Sequence, residues 1–306
     1  MSPSTLRAWE RRYGVVEPIR TDGGYRVYDD EALQRLTRMS SLIASGWSPR
    51  HAAAYVIGES GNGEPGPLPG GPAEEVRPDP VPPTPEEEAQ HIEVILQAAE
   101  VLDGPRIADE LDFVFSIHSF DDLVDIWLRP ALKSTLEAGR SGRLTDAGEH
   151  FLNAGIERRM QACFEEARQH EKPSRPTVII GVPGPVRNTI EVYARATSLR
   201  RNGCHVTYLG TEVPVQDWLS AIDSTGADMI CIHIETRQDA AAAATIITEL
   251  GTAHPNARVY VGGPHAADVT TGDRVIHIEE ASITTCVERM IADHLEATAG
   301  LEPQPA

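Results

Sequence analysis

The spacing of apolar positions changes three times along the chain, and each change marks a different kind of structure. The run Ser2-Pro3-Ser4-Thr5-Leu6-Arg7-Ala8-Trp9-Glu10-Arg11-Arg12-Tyr13-Gly14 sets Leu6, Trp9 and Tyr13 on one helical stripe and leaves Arg7, Arg11 and Arg12 off it. Next, Arg20-Thr21-Asp22-Gly23-Gly24-Tyr25-Arg26-Val27-Tyr28 places a Gly-Gly turn before alternating Tyr and Arg, which predicts a small hairpin, or wing. Asp29-Asp30-Glu31 then opens a helix with Leu33, Leu36, Met39, Leu42 and Ile43 as its expected buried side.

Residues 58–85 break every periodicity. Six of these 28 residues are Gly and nine are Pro, with few apolar side chains, so the stretch reads as an extended linker that lets the N-terminal unit move. From 86 to 172 the spacing is helical again. Thr84 is placed to cap a first turn rich in Glu86, Glu87 and Glu88, and segments Ile107–Phe115, Phe120–Gly139 and Thr145–His170 follow. Short connections between amphipathic helices predict an antiparallel four-helix bundle, with Pro130 interrupting the third helix.

After Pro173 short β-branched runs alternate with helical stretches. The expected strands are Thr177–Val182, His205–Leu209, Asp228–Ile234, Arg258–Val261 and Arg274–Ile278. The expected helices are Arg187–Asn202, Val215–Ser224, Asp239–Gly251 and Glu280–Thr298, with a short one near His265. That alternation predicts a doubly wound, parallel, five-stranded Rossmann-like or flavodoxin-like domain over 173–299, ahead of a tail at 300–306. On such sheets ligands sit beyond the carboxyl ends of the strands, here residues 182–188, 210–214, 233–237 and 262–266.

Composition refines this picture in two ways. No apolar run approaches the ~18 residues of a membrane span, and no signal core opens the chain, so a cytoplasmic protein is expected, its Cys163, Cys204, Cys231 and Cys286 reduced and unpaired. The net charge of −19 would argue against nucleic acid if it were evenly spread. It is not: residues 1–54 hold eight arginines against six carboxylates, a net of +2, which leaves the remainder at −21, an acidic body with a basic arm.

The S-x-x-T-L-R-x-W-E-R-R run with its R-x-x-x-G-Y-R-x-Y wing closely resembles the DNA-binding domain of the MerR family of transcriptional regulators, over residues 1–57. The resemblance implies a winged helix-turn-helix. It assigns Ser4, Thr5, Arg7, Arg11 and Arg12 to the major groove and Arg20, Tyr25 and Arg26 to flanking phosphates, with Trp9 and Tyr28 in the core. Guanidinium groups suit both tasks, since they neutralise phosphate and pair with base edges. Family members carry a helix and a turn before the recognition helix, whereas this chain starts at that helix, so the first helix is expected to be missing from an N-terminally truncated head.

The order of head, linker, bundle and doubly wound domain further resembles the CarH/LitR class of cobalamin-dependent light-responsive repressors. Beyond the head the likeness rests on Glu149-His150, on Tyr208-Leu209-Gly210-Thr211-Glu212-Val213-Pro214 and on Val261-Gly262-Gly263-Pro264. The Gly262-Gly263 pair admits two readings, a close approach for a flat macrocycle or an ordinary strand-to-loop turn. In that class a D/E-x-H-x-x-G loop supplies the cobalt ligand; here the loop reads Pro185-Val186-Arg187-Asn188-Thr189-Ile190. A guanidinium stays protonated and has no lone pair for a metal. His233-Ile234-Glu235 replaces the class's S-x-T/L segment, and in its W-x₉-E-H pattern Gly139 takes the Trp position ahead of Glu149-His150, more often a solvated pair than a ligand but retained as candidate ligand-binding residues. Trp127 is expected to pack in the bundle.

The expected function is therefore a MerR-type regulator whose C-terminal half senses a small molecule or binds a protein partner, with cobalt ligation lost, no metal ligands and no resident cofactor. By the resemblance adenosylcobalamin remains the candidate ligand. The alternatives are an adenosylcobalamin-dependent light-responsive repressor and a corrinoid carrier of a methyltransferase. His233, Glu235 and His265 are candidates for a new site, though satisfied crevice polar groups are the commoner outcome. Arg187 is a candidate for an anionic ligand. No G-x-S-x-G, H-E-x-x-H or Lys-bearing phosphate loop is present, so no catalytic role is expected. Double-stranded DNA and a second copy of the chain are the expected partners.

Overall fold

The computed structural model describes residues 6, 9–10, 13–20, 26–44, 52–53, 55–57, 84–269, 275–278 and 282–299, with Arg20, Arg26, Ala44 and Ala299 as backbone only. Residues 58–83 and 300–306, expected as linker and tail, lie outside them. Two compact units divide the chain, Met1–Gly155 and Ile156–Ala306.

In the first unit β1 (Ile19–Arg20) and β2 (Arg26–Val27) pair antiparallel, Ile19 opposite Val27, as a hairpin requires. Helix α1 (Asp30–Ala44) begins where the Asp29 carboxylate accepts the Ala32 amide at 2.8 Å. Leu36, Met39 and Leu42 bury as expected, but Leu33 is 50% exposed and Ala32 takes the inward position. The expected stripe is one residue out there: Ala32, Leu36, Met39 and Ile43 follow the 3.6-residue repeat, and Leu33 falls to its edge. Trp9, Val15, Val16, Ala52 and Val56 complete this small core.

Helix α2 (Pro85–Glu100) starts with a capping box in which Thr84 and Glu87 bond each other's backbone amides. Pro85 is thus the first helical residue rather than the last of the linker, since its missing N–H costs nothing at that position. Asp103 caps α3 (Gly104–Ile117). Phe120–Asp122, a π-helical stretch Leu123–Leu128 and Arg129–Arg140 run on as one element, α4. The expected break at Pro130 takes this form: the wider turn, with the Arg129 amide bonded to the Val124 carbonyl, accommodates the ring without ending the helix. The inner face of α4 buries Leu123, Val124, Trp127 and Leu128. Helix α5 (Asp146–Glu166) follows and ends in a 3₁₀ turn, Ala167–His170.

In the second unit five parallel strands, β3 (Thr177–Gly181), β4 (His205–Tyr208), β5 (Met229–His233), β6 (Arg258–Gly262) and β7 (Val275–His277), lie in the order β4-β3-β5-β6-β7. The central strands are apolar throughout because both faces are covered. Helices α6 (Ile190–Arg201) and α9 (Ile283–Ala299) pack Val192, Leu199, Val287 and Met290 on Val178, Ile180 and Cys231. On the other face α7 (Val215–Thr225) and α8 (Arg237–Ala253) pack Trp218, Ile222, Ile246 and Leu250 on Ile179, Ile230 and Val261. Among the described residues no helix is long and apolar enough to cross a membrane.

Candidate functional site

Strand β3 has the next two strands in sequence, β4 and β5, on opposite sides, so the chain reverses direction across the sheet beside it, the place where such folds open a crevice. The loops at that edge are held by backbone bonds: Val182 amide to Gly210 carbonyl (3.0 Å), Val213 amide to Val182 carbonyl (3.2 Å) and Glu212 amide to Gly184 carbonyl (3.1 Å). Asp239, 2% exposed, caps α8 through the Thr236 amide and hydroxyl (2.7 and 2.9 Å). Its carboxylate lies so close to Gly184 that a Cβ there would stand 1.9 Å from Oδ1. The crevice edge is therefore closed by the chain's own carboxylate.

Arg187 is exposed on this loop. Three residues on, Ile190 has no exposed surface and seats its side chain beneath the start of α6, where the resemblance would place a glycine. Thr189 donates both its amide (3.1 Å) and its hydroxyl to Glu157, which anchors the loop.

His233 ends β5 almost fully buried. Its Nε2–H donates to Glu235 Oε2 at 3.2 Å, while Nδ1 is buried with no partner among the described residues. That hydrogen bond holds the Glu235 carboxyl below the usual carboxylate range. His265 does not join the pair as a third ligand: its Nδ1 faces Asp268 at 2.8 Å, and the described residues hold no group of three side chains able to grip a metal. Because the Glu235 value is depressed by folding, its contribution to stability is present above the unfolded value and fades as pH falls through the folded one. We expect a carbon-detected titration to place Glu235 low in the parent chain and back in the ordinary range in His233→Asn.

Gly262 closes β6, and Gly263 takes φ +107°; a Cβ there would stand 2.5 Å from the Ile234 carbonyl oxygen. Gly263 serves a tight turn against the neighbouring loop, since only glycine tolerates both demands. In the first unit Glu149 is buried and His150 exposed, which corrects the expectation of a solvated pair. A Cβ on Gly139 would lie 2.6 Å from Glu149 Oε2, so the carboxylate fills the space an aromatic side chain at 139 would need.

Ser4, Thr5, Arg7, Arg11, Arg12 and Tyr25 lie outside the described residues, and only the backbone of Arg20 and Arg26 is described, paired across the hairpin. Leu6, Trp9, Glu10 and Tyr13 are helical, and Glu10 accepts the Tyr28 hydroxyl (3.3 Å), tying helix to wing. Cys204 and Cys231 are buried thiols pushed up to about 12 by loss of solvent.

Asp239 and Glu157, which fix the crevice loops, carry no spacing signal beyond a helix start and a helix face. Arg200 escapes sequence reading too. It lies under the sheet edge, bonded to the Phe164 and Val206 carbonyls (2.8 and 3.0 Å) and to Glu171 (3.1 Å), where a helical arginine reads as solvated.

Comparison with known proteins matches residues 1–56 to the MerR HTH family regulatory protein and residues 163–279 to the B12 binding domain. The HTH-type transcriptional repressor CarH of Myxococcus xanthus is 29% identical over 271 residues, 85% of this chain and 84% of that protein. CarA from the same organism, also an HTH-type transcriptional repressor, is 26% identical over 263 residues, 85% and 81% of the respective chains. The Methanosarcina barkeri monomethylamine corrinoid protein shares the fold, with a TM-score of 0.51 at 11% identity over 67% of this chain and 96% of its own. With a matching head, a matching sheet domain and similarity running through both, the chain is a MerR-type helix-turn-helix regulator with a B12-binding domain, homologous to the CarH and CarA repressors.

Proposed function

We propose that the protein is a cytoplasmic, non-enzymatic regulator. Its heads read an operator through Ser4, Thr5, Arg7, Arg11 and Arg12, with Arg20, Tyr25 and Arg26 on the flanking phosphates. Its B12-type half acts without cobalt held by a protein ligand. The observation that carries this is Ile190, fully buried in space that a corrinoid tail would have to enter. Arg187 on the same loop offers no lone pair, and the Glu149 carboxylate occupies the space beside Gly139. The residues present do not fit the group. Arg187 and the His233–Glu235 pair are left as the polar groups at the sheet edge for a different effector. The acidic body self-associates and presents paired heads to a two-fold operator. A methyltransferase carrier has no use for the matched head.

The full-length protein, incubated in the dark with adenosylcobalamin or methylcobalamin and desalted, should emerge without corrinoid absorbance. A stoichiometric corrinoid retained through desalting would overturn the reading.

A further inference from the structure

Helix α3 ends in an unusual way. The last carbonyls of any helix lack partners within it and need donors from elsewhere. Ser116 Oγ–H serves the Phe113 carbonyl (2.7 Å), and the His118 imidazole serves that of Val114 (2.9 Å). The carbonyls of Ser116 and Ile117 are served by residues more than a hundred positions away in sequence: the Trp9 indole N–H donates to the first and the Tyr13 hydroxyl to the second, both at 3.3 Å. Trp9 is 4% exposed, Ser116 7% and Ile117 6%.

The geometry is matched on both sides. Trp9 and Tyr13 stand one helical turn apart on a single stripe, and the acceptors are consecutive carbonyls on the end of a rigid helix. That end is itself fixed, because His118 Nε2 pairs with Glu88 Oε1 (2.8 Å) in the first turn of α2. In the helical pattern of residues 2–13, Arg7 and Arg11 fall roughly 160° around the helix from Trp9. A contact through the Trp9 stripe therefore lies opposite Arg7 and Arg11 in that pattern.

We propose that the carboxyl end of α3 is a docking surface for the N-terminal head of the same chain, which it holds by accepting hydrogen bonds from Trp9 and Tyr13. The contact gives the bundle a physical hold on the DNA-reading unit. It does not depend on what the B12-type half binds.

The test uses full-length protein labelled with ¹³C-carbonyl serine and ¹⁵N isoleucine, and separately with ¹³C-carbonyl isoleucine and ¹⁵N histidine, to observe the Ser116 and Ile117 carbonyls. Trp9→Phe and Tyr13→Phe each delete one donor and keep a ring. The Ser116 carbonyl resonance should move upfield in Trp9→Phe and the Ile117 resonance in Tyr13→Phe, with the signals of the other labelled pairs, Ser282-Ile283, Ile232-His233 and Ile276-His277, unmoved. Should Trp9→Phe loosen the head core, Tyr13→Phe still reads the second bond alone. Carbonyl resonances that stay in place in a folded Tyr13→Phe protein would overturn the proposal. So would parent signals that move to the variant positions on dilution, since the docked head would then belong to a second copy.

Discussion

Replacing Arg7, Arg11 and Arg12 together with alanine should abolish operator binding by the full-length protein. Each arginine that pairs with a base edge contributes about 1–3 kcal/mol and each phosphate contact one released counterion, so losing three predicts a drop of at least about 100-fold. The salt dependence should flatten by about one unit of slope for each phosphate contact removed, which separates the two kinds of contact. Gel-shift titrations at two or more salt concentrations read both quantities. A triple variant that binds with parent affinity and parent slope would remove the helix assignment. The acidic remainder of the chain makes this prediction sharper, because a net −21 outside the first 54 residues disfavours nonspecific holding of DNA there.

Ile190→Gly should cost the folded protein a large share of its stability. Deleting a fully buried aliphatic side chain costs about 2–5 kcal/mol, and the first turn of α6 loses a residue with a β-branched hold on the sheet. Paired with Arg187→His, the same deletion supplies both an imidazole and a hollow beneath it. The double variant should melt well below the parent, and adenosylcobalamin should raise its midpoint, because a ligand bound only by the folded state stabilises it. Parent protein should show no such rise. If the double variant gains nothing from the corrinoid, Ile190 and Arg187 are not what keeps the group out; an equal rise in the parent would mean that nothing does.

Much of the second unit was legible because each of its elements has a strong local signal. β-branched runs such as Thr177–Gly181 and Met229–His233 can only be buried strands, and helices of the right length between them force parallel pairing. Boundaries were harder. Helix α6 starts at Ile190, not Arg187, because the Asn188 side chain accepts the Ile190 amide and Thr189 is tied to Glu157, which together delay the first turn. That Arg187 brings no metal-binding lone pair was readable from side-chain identity alone, since no packing lends a guanidinium one. The surroundings of these positions were not readable: the burial of Ile190, the approach of Asp239 to Gly184 and that of Glu149 to Gly139 each arise only once the chain has folded. Trp9 read as a head-core residue, and nothing in its spacing announced that its indole N–H would be taken by Ser116. Leu33 was misplaced because a one-residue shift in a helical stripe is invisible without the neighbour it packs against.

The closed core beneath α6 has a further consequence for the living cell. On the function proposed above, a sensor half whose hollow is filled by Ile190 should reach its final shape without waiting for a vitamin. Its steady-state amount, and its resistance to proteases, should be the same in starved and supplemented cultures. Whatever signal it conveys must come from something other than having, or lacking, a reason to fold.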